Sequence, residues 1–133
     1  MLRYAYFQTF KGGPTLLIWG APGDLARLYE VLVQRADGEG PEVFADIAGS
    51  HSADGSSILL ETVGESEGLR RDEVEPDVFH WRMERDGWFE FAEWIEPLAH
   101  QPSGHQYLRC HADDDIVVLV SSGEYPDDLM PSG

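Results

Sequence analysis

The chain holds one cysteine, one lysine and no asparagine. A lone thiol, Cys110, excludes an internal disulfide and a thiolate metal cluster, and an unpaired thiol suits a reducing compartment. Lys11 stands against eight arginines, the bias expected of a GC-rich, bacterial coding sequence. Long hydrophobic runs are also missing: residues 16–19 and 116–120 are the longest, far short of a membrane span. Residues 1–8 lack a basic n-region followed by an apolar stretch of roughly 7–15 residues, so no secretory signal is expected and the cytoplasm is the expected location. Basic charge is scarce. Nine bases face 25 acids, a formal net charge of −16, which makes duplex nucleic acid a poor partner, and no direct nucleic-acid binding is expected.

What is present is globular. The 133 residues are 42% hydrophobic and 26% charged, and a chain of this length can bury one core. No repeat, low-complexity tract or long linker divides it, so one domain spanning 1–133 is expected. Charge is distributed unevenly. Residues 1–36 carry Asp24 and Glu30 against Arg3, Lys11, Arg27 and Arg35, a net of +2, leaving −18 on the remainder. Many of those acids must lie within one or two Debye lengths of each other, which favours solubility and can steer a basic partner.

Hydrophobic periodicity gives the elements. Residues 3–10 and 15–19 read as strands joined by the 11–14 turn. Pro22 and Asp24 open a helix in which Leu25, Leu28, Tyr29, Leu32 and Ala36 recur at helical spacing, and Gly38 ends it. A short strand is expected at 42–47 and another at 58–63, followed by a charged connector over 64–77. Residues 78–85 alternate, with Phe79, Trp81 and Met83 on one face, as a half-buried strand does. Residues 88–96 fit either a return strand or a helix burying Trp88, Phe91, Ala92 and Ile95. The helix is preferred, running to about residue 99. A final hairpin is expected, its second strand (116–120) apolar on both faces and therefore central, before a proline-bearing tail. The sum is an α+β domain, a mostly antiparallel sheet with two helices on one face.

Catalytic signatures are sparse. Gly20-Ala-Pro-Gly23 lies between strand and helix but lacks a Gly-Lys-Ser/Thr sequence, and Asp24 would repel a phosphate there. It reads as a helix start. His105 and His111, six apart on a strand, would stand about 20 Å from each other, too far for two ligands that must each lie near ~2 Å from one metal ion. No nucleophile elbow surrounds a serine, and Cys110 is expected to face the core. No catalytic residue, metal or cofactor is assigned. His80 beside Arg82 and Glu84 is ordinary cross-strand pairing material.

The aromatic cluster at 81–94 is the sharper feature. In the helical reading Phe89 and Trp94 fall off the buried stripe, and an exposed tryptophan ringed by Glu90, Glu93 and Glu96 would make an interface anchor. The expected partner-binding residues are Trp88, Phe89, Glu90, Glu93, Trp94 and Glu96, with Asp113, Asp114 and Asp115 as further acidic contacts. In size and charge the chain resembles bacterial immunity proteins that block toxin nucleases. The resemblance covers no motif and implies a small acidic protein that neutralises a basic protein partner. Two alternatives stand: a regulatory homodimer formed through 88–95, and a small hydrolase using His105, His111 and Asp113 to Asp115.

Overall fold

The first strand, β1 (Arg3–Phe10), is rich in aromatic residues, and the chain reverses into β2 (Gly13–Gly20). Lys11 and Gly12 both take positive φ, 50° and 99°, the turn geometry that matches the natural twist of two hairpin strands. The two strands pair antiparallel from Arg3 with Trp19 to Phe10 with Gly13. The computed structural model describes residues 1–38, 40–110 and 114–131.

Helix α1 (Pro22–Asp37) starts where proline is tolerated, and the Asp24 carboxylate reaches back to accept the Ala21 backbone N–H at 2.9 Å. Its buried stripe is Leu25, Leu28, Val31, Leu32, Arg35 and Ala36. The strand expected at 42–47 is only β3 (Glu42–Val43), because the chain then turns into the short helix α2 (Phe44–Ala48), whose i, i+4 pair Phe44 and Ala48 are both buried. Next come β4 (His51–Ser52), β5 (Ser57–Thr62), β6 (Gly68–Arg71) and β7 (Val78–Met83). Strand β6 lies inside the segment expected to be a connector. Helix α3 (Arg85–Ile95) settles the fork at 88–96 and runs on into a 3₁₀ turn (Glu96–His100). The last strands are β8 (Gly104–Leu108) and β9 (Val117–Ser122).

The class is α+β, and the strands form two sheets rather than one. A five-stranded sheet runs β4-β1-β2-β9-β8 and a four-stranded sheet β3-β5-β7-β6. Among the described residues four pairings are antiparallel and three parallel, the parallel ones being β1 with β4, β2 with β9, and β5 with β7. As its apolar run implies, β9 is central, between β2 and β8.

Both sheets, α1 and α3 share one core that includes Ile18, Leu32, Phe79, Trp81, Trp88, Phe91 and Val120. The opposite face of the five-stranded sheet carries Ala5, Phe7, Leu17, Trp19 and Leu119. The C-terminal tail roofs that face: Tyr125 and Leu129 pack on it and the Trp19 indole N–H donates to the Pro126 carbonyl at 3.0 Å. Gly123 starts the tail with φ +69°, and a Cβ there would lie 1.9 Å from the Pro102 carbonyl oxygen. Backbone strain plus this collision should make Gly123→Ala cost about 2–4 kcal/mol. A urea-unfolding midpoint close to wild type would show that the tail's departure point moves freely.

Candidate functional site

Helix α3 presents two faces. Trp88, Phe91, Ala92 and Ile95 are buried, and Trp88 is 0% exposed, its ring 5.1 Å from Trp81 in an edge-on arrangement. Trp88 therefore has no surface to offer a partner. Phe89 is partly buried, with the Arg85 guanidinium 5.0 Å over its ring. Trp94 is 40% exposed and leans on Phe91 at 5.6 Å.

Asp86, Glu90 and Trp94 follow one another at i, i+4 and i+8, and Glu93 lies beside Glu90 on the same side of the helix. All four are exposed. Among the described residues no base stands within ion-pairing distance of Asp86, Glu90 or Glu93, whereas Glu96 has His100 at 3.7 Å and Arg85 is held by Asp37 at 2.9 Å. The result is an exposed indole with Glu90 and Glu93 next to it and Asp86 a further turn away, none of the three carboxylates ion-paired among the described residues.

The aspartates before β9 belong elsewhere. Asp113, like His111, lies outside the described residues. Asp114 accepts the Cys110 backbone N–H at 2.8 Å, and Asp115 is exposed. Both line a cleft of about 700 Å³ with Tyr6, Leu69, Arg71 and Glu73, and both border a second furrow of about 310 Å³ beside Lys11, Tyr107 and Arg109. Neither hollow includes a residue of α3, so the expected acidic contacts form two separate surfaces. Cys110 packs against the core, and burial, followed by the charges of Asp114 and Glu84, pushes its thiol pKa up. Such a thiol is a poor nucleophile at neutral pH.

His105 sits on β8 with Nδ1 3.2 Å from Glu124, not with the 114–115 aspartates. Glu124 also accepts the Ser121 hydroxyl at 2.6 Å, and that bond, followed by the one to His105, lowers its pKa.

A second histidine pair was not legible in the sequence. His80 Nε2 lies 2.7 Å from Asp72 Oδ1, and Asp72 also accepts the backbone N–H groups of Val74 at 3.0 Å and Glu75 at 2.9 Å. The Glu75 N–H, then His80, then the Val74 N–H hold the Asp72 carboxyl at about 2. The obscuring factor is β6: it pairs with β7, placing Arg70 opposite His80 and bringing Asp72 alongside. A carboxylate whose pKa falls on folding stabilises the fold above its unfolded value of about 4, and that contribution fades as pH falls through the folded value. Asp72→Asn should therefore flatten the thermal-midpoint profile between about pH 4 and 2. Parallel profiles for variant and wild type would exclude Asp72 as a contributor.

No helix among the described residues is long and apolar enough to cross a membrane. Compared with known proteins, the chain matches no family model, no curated protein and no solved structure.

Proposed function

We propose that this is a small acidic binding protein of the immunity or inhibitor type, acting in the cytoplasm by associating with a basic protein and neutralising it. The observation that carries the reading is the exposed Trp94 with Glu90 and Glu93 next to it and Asp86 one turn further back, three exposed carboxylates with no base within ion-pairing distance among the described residues. An aromatic anchor within a complementary charged surface supplies affinity at its centre and specificity around it. The net charge of −16 adds steering, which raises association rates toward about 10⁸–10⁹ M⁻¹s⁻¹ at low salt. A homodimer through 88–95 is less favoured, since Trp88 and Ile95 are spent in the chain's own core and two such acidic copies repel.

The test compares affinity capture by the wild type and by the Glu90→Gln/Glu93→Gln/Trp94→Ala variant, with folding checked by circular dichroism. One basic protein should be retained stoichiometrically by the wild type at low salt, released by a salt gradient, and lost from the variant. Equal retention by both proteins, or retention that ignores salt, overturns the reading.

A further inference from the structure

Strand β6 is one edge of the four-stranded sheet, and the 700 Å³ cleft lies between it and the β1–β2 hairpin. Its lining is two-sided in character. Leu69 and Ile116, only 5% and 9% exposed, join the partly buried Tyr6 in an apolar floor. Around that floor stand four carboxylates, Glu67, Glu73, Asp114 and Asp115, against two guanidiniums, Arg70 and Arg71. Both guanidiniums are already engaged. Arg71 lies over the Tyr6 ring at 4.4 Å and the Phe79 ring at 5.4 Å, and Arg70 Nε donates to the Glu67 carbonyl at 3.4 Å. Glu67 faces Arg82 at 3.8 Å, while Glu73 and Asp115 are exposed and have no ion-pair partner among the described residues.

A lysine or arginine side chain satisfies such a hollow, because its aliphatic stem covers apolar surface while its charged end remains at the wet rim. Arg71 on Tyr6 shows, within the same lining, that an aromatic wall accepts a guanidinium. We infer that the cleft beside β6 receives a basic side chain of the partner, its stem against Leu69, Tyr6 and Ile116 and its cation facing Glu73 and Asp115. This rests on the proposed recognition of a basic protein and adds a second contact, built on different elements from α3.

The experiment titrates ¹⁵N-labelled protein with the peptide acetyl-Ala-Ala-Arg-Ala-Ala-amide, followed by amide chemical shifts, beside the same peptide carrying norleucine for arginine. Saturable shifts at Leu69, Ile116 and Asp115 are expected with arginine only. They should weaken about three- to tenfold in the folded Glu73→Gln/Asp115→Asn variant, the loss expected for two exposed charge contacts. Equal shifts with norleucine, an unaffected double variant, or shifts confined to Glu90 and Trp94 each overturn the cleft, the last while leaving the α3 reading intact. Loss of partner capture on changing α3, with capture undiminished in the Glu73→Gln/Asp115→Asn variant, likewise removes the cleft alone.

Discussion

Trp88→Ala is expected to destabilise the fold by about 3–5 kcal/mol, whereas Trp94→Ala, on the same helix, should cost no more than about 1–2 kcal/mol. The contrast follows from the helix period. Trp88 points into the core against Trp81 at 5.1 Å and Phe91 at 6.3 Å, and truncation leaves a void that rigid neighbours on two elements cannot fill. Trp94, 40% exposed, has less packing to lose, its lean on Phe91 included. Urea unfolding followed by far-ultraviolet circular dichroism measures both. Trp88→Phe refines the test. The Trp88 indole N–H is buried and without a hydrogen-bond partner among the described residues, so removing it relieves a desolvated donor and the phenylalanine variant should lose well under half of what alanine loses. Equal losses for Trp88→Ala and Trp94→Ala would mean that the burial assigned to the helix is wrong. In the capture assay the order reverses, and Trp94 is the residue whose loss should be felt.

The same helix shows what a sequence can and cannot convey. The stripe Trp88, Phe91, Ala92 and Ile95 is periodic at 3.6 residues, so its burial, and the displacement of Trp94 from it, are legible without coordinates. Helix α1 and the strand β7 announce themselves in the same way. Strand β6 does not: four residues, two of them exposed arginines, offer no alternation against the charged residues around them. With β6 hidden, the pairing that sets Asp72 against His80 and the cleft that brings Glu73 near Asp115 are hidden too. The division into two sheets was equally out of reach. Parallel contacts such as β2 with β9 join segments from opposite ends of the chain, and nothing in a local pattern names a distant partner. Local periodicity fixes which face is buried; it is silent on which element does the burying.

Arg35 carries the second large effect: Glu42→Ala should cost about 2–3 kcal/mol, and more than the double change Arg35→Met/Glu42→Ala. Arg35 occupies a place on the buried stripe of α1 and is 1% exposed, a location where an isolated cation is costly. Its Nη1 pairs with the Glu42 carboxylate from β3 and its Nε donates to the Thr62 hydroxyl at 3.3 Å, while Nη2 is buried without a partner among the described residues. Gly38 makes room for this group, since a Cβ there would approach Nη2 to 2.4 Å. Removing Glu42 leaves a desolvated guanidinium held, among the described residues, by one neutral hydroxyl. The loss stays below the ~3–5 kcal/mol typical of fully enclosed pairs because the Glu42 side chain is itself 41% exposed and water can enter where it stood. Methionine at 35 removes the cation along with the need for a counter-ion and keeps most of the volume, so the double variant should unfold within about 1 kcal/mol of wild type. Should the double variant prove no more stable than Glu42→Ala, Arg35 contributes through the shape of its side chain and not its charge. A Glu42→Ala loss under about 0.5 kcal/mol would instead mean that water already reaches the guanidinium.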